Sequence, residues 1–219
     1  MFTDGTDVRY FVERLRLALP GARLSRDDQR ELFQEPRCHG AWLPQDVPDT
    51  LLEEAWALAR MCPTSANGSP LRLVLLRTEA EKARLLPMLD RSNRDKSRLA
   101  PVVAILGHDV EFWRRLDRLH PHADAAAWYR DDPVLCRETA FRNGTLQAAY
   151  FIFAIRALGA DIGALSGFDA KRVQQAYFVG TTFEVNFICN IGYGDSTTLK
   201  PRLPRLDFEE IVHQPAMSV

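Results

Sequence analysis

The chain has 219 residues, 46% of them hydrophobic, enough to enclose one sizeable core without a disulfide or metal staple. Its 28 basic and 29 acidic residues nearly cancel, so no global field draws it to nucleic acid or an anionic membrane, and any anion site has to be local. Cys38, Cys62, Cys136 and Cys189 show no paired spacing and the first residues lack a basic-then-apolar signal, so a reducing cytoplasm is the expected location. The most apolar run, 146–155, contains Gln147 and is about half the length that a membrane-spanning helix needs.

In chain order, Val8, Phe11, Val12, Leu15 and Leu19 recur at helical spacing up to Pro20-Gly21. This predicts an N-terminal helical extension over 1–24, ahead of one domain over 25–219. Residues 46–61 open on Pro48 and Asp49 and place Leu51, Leu52, Ala55, Trp56 and Leu58 mostly on one face, a helix that has to stop before Pro63. Short β-rich runs predict strands at 71–76, 102–106, 161–165 and 185–191. The longest helix is expected from about Pro133 to Leu158. Its second half, AAYFIFAIRAL, is apolar nearly all round, which implies burial on more than one side, in core and subunit interface. Strands and helices interleave irregularly, with no βαβ rhythm and no Gly-rich fingerprint, so the fold class is α+β and rich in helices.

Two clusters carry polar chemistry. The loop PTSANGSP at 63–70 sets short polar side chains between a helix and a strand, where they can hydrogen-bond a flat polar ring; the same residue types also make ordinary capped turns. Lys200, Arg202 and Arg205 lie in LKPRLPRLDF, where Pro201 and Pro204 disfavour a helix and stiffen the run. Spaced guanidinium groups suit phosphate, although exposed cations are commonly just solvated. Arg37 and His39 of EPRCHGAW can join them if the fold brings them close. His120, His122 and Asp124, or Cys38 with His39, lack further ligands at zinc-like spacing, so no metal site is expected. No serine sits in a G-x-S-x-G elbow, which argues against a serine hydrolase.

Taken together and in order, these segments resemble the FMN-dependent nitroreductase family over about residues 31–208, and most of all its malonic semialdehyde reductase branch. RCHGAW is similar to that branch's R-T-H-N-G-W at Arg37, His39 and Trp42, and CPTSANGSP to its GPTSANCSP, with Gly68 in place of a cysteine. Asn93 and Lys96 match an Asn-x-x-Lys segment, Ser166-Gly167-Phe168 a segment whose backbone faces the flavin, and Lys200-Pro201-Arg202-Leu203-Pro204 a phosphate clamp.

The resemblance implies a nitroreductase-type sandwich around a mainly antiparallel sheet and an intertwined homodimer with FMN between chains. The implied FMN-binding residues are Arg37, Cys38, His39, Thr64, Ser65, Asn67, Asn93, Lys96, Ser166, Gly167, Lys200 and Arg202. It further implies ping-pong hydride transfer from NADH or NADPH, through flavin N5, to a small organic acceptor: malonic semialdehyde, a quinone or a nitroaromatic. No catalytic acid is required, and Lys96 is expected to tune the flavin electrostatically. The aromatic stretch 109–130, with Phe112, Trp113, His122 and Trp128, and also Trp42, is expected to border the substrate. Ala41 stands where many relatives carry a lysine and Ala164 where the branch has a proline, so potential and pocket shape stay open. A flavin-binding protein with a dehydrogenase, oxidase or non-reductase role on the same scaffold is the alternative.

Overall fold

Four strands run antiparallel in one sheet: β1 (Leu71–Leu76), β2 (Val102–Asp109), β3 (Asp161–Leu165) and β4 (Phe183–Gly192), in the order β1-β2-β4-β3. The computed structural model describes residues 23–213, so the helix expected over 7–19 lies outside the described residues. β2 is buried along its whole length because it has a strand on each side and a layer on each face. Val102, Ala104 and Leu106 point into one apolar cluster and Val103 and Ile105 into the other, the two-residue alternation of a strand.

The strands expected at 71–76 and 161–165 have those bounds, whereas β2 continues three residues past Leu106 and β4 starts at Phe183. The extra length of β2 is polar and follows a register shift at Leu106/Gly107. It stays in the sheet because the buried carboxylate of Asp109 accepts from Arg72 (2.8 Å), Arg115 (2.5 Å) and the Thr182 hydroxyl (2.6 Å).

The helices are α1 (Arg26–Gln29), α2 (Asp49–Ala59), α3 (Glu79–Leu85), α4 (Arg91–Leu99), α5 (Leu116–Leu119), α6 (Pro133–Ala157), α7 (Ala170–Tyr177) and α8 (Phe208–Ile211). α2 begins later than 46 because Pro48 takes an extended conformation and leaves Asp49 as the first helical residue. The long helix α6 starts where expected: the Asp132 carboxylate accepts from the N–H groups of Val134 and Leu135, and Pro133 occupies the first turn. It ends at Ala157, followed by the cap residue Leu158 and by Gly159, whose φ of 82° is left-handed.

α2 and α6 cover one face of the sheet, and α6 contributes Ala148, Phe151, Ala154 and Ile155 to that core. α3, α4 and α7 cover the other, around Leu85, Val173 and Phe178. These three helices have no counterpart in the hydrophobic pattern. Only Ser97 of α4 and only Val173 of α7 is buried, so neither needs an apolar stripe. The expected burial of α6 on more than one side is met on one side only within a chain: Leu146, Tyr150 and Phe153 remain 47%, 46% and 38% exposed. No helix among the described residues is long and apolar enough to cross a membrane.

His108 on β2 is 2% exposed, and neither ring nitrogen has a hydrogen-bond partner. Burial, opposed by Glu184 and Asp109 and reinforced by Arg137, lowers its pKa from the ordinary value. The unfolded chain therefore takes up a proton near pH 6.5 that the folded chain still refuses, and stability falls as pH drops below that point. Urea unfolding from about pH 7.5 to about pH 5.5 is expected to show this loss, at most about 1.4 kcal/mol per pH unit. His108→Leu should flatten it; an unchanged slope would assign the loss to other groups.

Candidate functional site

The residues singled out in the sequence gather in two places. The first is built on β3 and the chain beside it. Cys38 forms a parallel bridge with Ile162, the His39 N–H donates to the Ile162 carbonyl at 2.9 Å, and the Cys38 thiol lies 3.7 Å from the Ala164 carbonyl. This lays Arg37 at the near end of β3 and leads through Leu165 to Ser166 and Gly167 at the far end. There the Asn93 amide donates to the Gly167 carbonyl at 3.0 Å. A side chain at Gly167 would meet the Asp90 carboxylate at 2.5 Å and the Asn93 amide at 2.8 Å, so glycine here lets both side chains lie close against the backbone. Lys96, one turn further along α4, is exposed and lays its methylenes against Gly40. It pairs with neither Asp95 nor Glu111, which bind Arg98 and Arg114.

The C-terminal run closes the same place. The Arg37 guanidinium donates to the Lys200 carbonyl at 2.7 Å, Arg202 donates to the carbonyls of Gln34, Glu35 (3.3 Å) and Pro36 (3.2 Å), and Arg156 of α6 donates to the Arg37 carbonyl at 3.3 Å. Arg37, Cys38, Arg156, Arg202 and Arg205 border a cleft of about 370 Å³. None of these arginines, nor Lys200, forms an ion pair among the described residues. Burial lowers the pKa of Arg156, and the like charge of Arg202 acts in the same direction; its Nε is buried without a partner. A second cleft of about 320 Å³, which shares Pro36, Arg37 and Arg156 with the first, holds His39, whose Nδ1 is also buried and unpartnered while Nε2 faces Asp161 at 3.5 Å. Arg156 was invisible in the sequence, where it reads as one polar break in an apolar helix.

The second place is the turn between α2 and β1. Ala66, Asn67 and Ser69 have φ of 52°, 55° and 43°, the only left-handed non-glycine residues described, each a cost on the order of 1–3 kcal/mol. Thr64 Oγ1 accepts from the Ser69 N–H at 3.2 Å, and Ser65 Oγ lies 3.0 Å from Tyr129 Oη. The Asn67 amide donates to the Leu119 carbonyl at 2.8 Å, so the turn is tied to the segment 110–132 above it.

That segment divides the expected substrate residues. Phe112 is fully buried, edge-on to Tyr129 at 4.9 Å, and belongs to the core of the segment rather than to a substrate surface, a correction that follows from its complete burial. Trp113 is half-buried with Arg114 over its ring at 4.8 Å. Trp128, 54% exposed beside His120, and His122 remain accessible. Trp42 is half-buried and commits its indole N–H to the Lys96 carbonyl at 3.0 Å, which braces α4.

The two places touch α6 at Asn143 and Arg156, thirteen residues or about 20 Å apart along one helix. Neither of the two clefts beside Arg37 is lined by residues of the turn 63–70.

Comparison with known proteins agrees with this architecture. The Bacillus subtilis protein ydfN, named as a nitroreductase, superposes with a TM-score of 0.76 at 20% identity, over 86% of this chain and 99% of that one. An Exiguobacterium sibiricum nitroreductase-type protein in complex with FMN gives 0.74 at 15% identity, over 84% and 96% of the two chains. A Staphylococcus epidermidis protein named as an NAD(P)H:FMN oxidoreductase gives 0.75 at 15%, over 90% and 99%. The sequence model of the nitroreductase family matches residues 37–193, well over half of the chain. The chain belongs to the nitroreductase family.

Proposed function

We propose that this chain is a cytoplasmic FMN-dependent oxidoreductase that takes hydride from NADH or NADPH and passes it to a small organic acceptor, working as a homodimer. The observation that carries the reading is the cluster of Arg37, Arg156, Arg202 and Arg205 at one cleft, none of them in an ion pair among the described residues, with Lys200 next in the chain to this run. So many unpaired cations repel one another, and a dianionic phosphate relieves that repulsion while accepting several charge-assisted hydrogen bonds. The flavin-bound and FMN-oxidoreductase relatives favour the same ligand.

The donor set fits FMN. Arg37 and Arg202 would hold the phosphate, with Cys38 beside them and His39 in the adjoining cleft, and the Asn93, Ser166 and Gly167 crossing lies further along β3, where the ring would rest. Lys96, exposed and unpaired, would face the pyrimidine edge and favour negative charge there. FMN, when bound, supplies the centre that accepts and donates hydride. The chain's own residues would bind and orient that group. Trp128 and His122 stand accessible on 110–132 for a planar substrate.

Thr64, Ser65 and Asn67 lie about 20 Å away along α6, so they reach the same flavin only from a second chain. Leu146, Tyr150 and Phe153 form an exposed apolar row on α6 at helical spacing, with the Phe33 ring tilted against Phe153 at 5.2 Å. Two such helices packed antiparallel about Tyr150 bring residue 143 of one opposite residue 157 of the other, which joins the two half-sites across a two-fold axis. Free thiols suit a reducing compartment, and burial raises those of Cys62, Cys136 and Cys189, the last to about 12.

Within this reading the malonic semialdehyde reductase branch is favoured by Arg37, His39 and Trp42 together with PTSAN, and a short aldehyde is the first acceptor to test, then quinones and nitroaromatics. Purified protein is expected to be yellow, to hold one FMN per chain, and to bleach on anaerobic mixing with NADH or NADPH. FMN should also raise thermal stability, because it binds the folded state alone. A protein that takes up no flavin from excess FMN rejects the proposal. A yellow protein that neither nucleotide bleaches leaves a flavin binder without reductase activity. Malonic semialdehyde turnover no faster than with free FMN removes that acceptor.

A further inference from the structure

We infer that Asn143 and Gln147, two buried amides of α6, are positioning residues that hold the turn 64–69 in a strained conformation, pre-set for the flavin. The inference rests on the assignment of this turn to the flavin site. The two side chains are one helical turn apart and so share a face. Asn143 Oδ1 accepts from the Ser65 N–H at 2.8 Å, and its Nδ2 donates to the Thr139 carbonyl at 2.8 Å. Gln147 Oε1 accepts from the Leu71 N–H at 3.0 Å, and its Nε2 donates to Ser69 Oγ at 2.9 Å. Both amides thus use their oxygen and their nitrogen, and their contacts bracket the left-handed residues from Ser65 on one side to Ser69 and Leu71 on the other.

Between the brackets lie Ala66, Asn67 and Ser69, all left-handed, whereas Gly68, the residue best able to adopt that conformation, has an ordinary φ of −69°. Gly68 is there for space: a Cβ would stand 2.6 Å from the Phe112 ring. The turn therefore carries strain at three positions where glycine would relieve it. Such a conformation persists only where its surroundings over-determine it. Asn143, 7% exposed, and Gln147, fully buried, are the rigid part of those surroundings. A turn already ordered in this way loses little entropy when a ligand settles on Thr64, Ser65 and Asn67.

The test is an FMN titration of the full chain, with the flavin reduction potential measured alongside. Asn143→Ala is expected to weaken FMN about tenfold, the scale of one hydrogen bond, and to shift the potential. Adding Ala66→Gly should restore most of both, because glycine carries no penalty at that φ. A side chain that merely filled the core would not be rescued from the loop. Ala66→Val, which adds β-branching at a left-handed position without touching α6, should weaken FMN by a similar factor and covers the case in which Asn143→Ala fails to fold. Wild-type affinity and potential in Asn143→Ala or Ala66→Val, or a loss that Ala66→Gly leaves in place, would overturn the inference while the flavin assignment stands. Wild-type protein that binds no FMN removes both.

Discussion

Phe153→Glu is expected to give a folded monomer that no longer retains FMN. The side chain is 38% exposed in the single chain and lies in the apolar row of α6, so glutamate there faces solvent in a monomer and is buried unpaired in a dimer. An uncompensated buried carboxylate costs several kcal/mol, which weakens association by more than about a hundredfold. In the proposed dimer flavin should go with it, since Thr64, Ser65 and Asn67 would reach the arginine cleft from the partner chain. The neighbouring Phe151 makes the control. It is 1% exposed within the chain's own core, so Phe151→Ala removes about 3–5 kcal/mol of folding stability. That is a large part of the total for a domain of this size. Light scattering, urea unfolding and FMN retention separate the two. A Phe153→Glu protein that stays dimeric excludes this face of α6 as the interface, and a monomer that keeps FMN excludes the shared site.

Arg202→Ala is expected to weaken FMN by about ten- to a hundredfold, because one charge-assisted contact to phosphate contributes on the order of 1.5–3 kcal/mol. Riboflavin, which has the ring and no phosphate, should bind the variant almost as it binds the wild type. Riboflavin is the necessary control because Arg202 also donates to the carbonyls of residues 34–36 and so shapes the approach to Arg37. A variant that only loosened this approach would lose both ligands together and unfold earlier without any ligand. If Arg202→Ala keeps the wild-type preference for FMN over riboflavin, the basic run at 200–205 is a structural strap and the phosphate lies elsewhere.

The parts of this protein legible in its sequence are those whose cause is local. Short β-rich runs mark β1 and β3 to the residue, and Asp132, Pro133 and Gly159 mark the ends of α6, because capping and backbone freedom act within one turn. The segments around Arg37, Thr64, Asn93, Ser166 and Lys200, which carry the family resemblance, are likewise runs of adjacent residues. What joins them was not. Arg37 meets Lys200 across 163 positions and Arg156 across 119, contacts set by strand order and helix packing rather than by any neighbouring residue. The helix that carries Asn93 and Lys96 left no apolar stripe to read, since it buries only Ser97. Phe112 and Trp128 look alike as aromatics on one stretch, yet the path of 110–132 buries the first and exposes the second. Periodicity and capping are written in adjacent residues, whereas burial, charge convergence and strain belong to residues that only the folded chain makes neighbours.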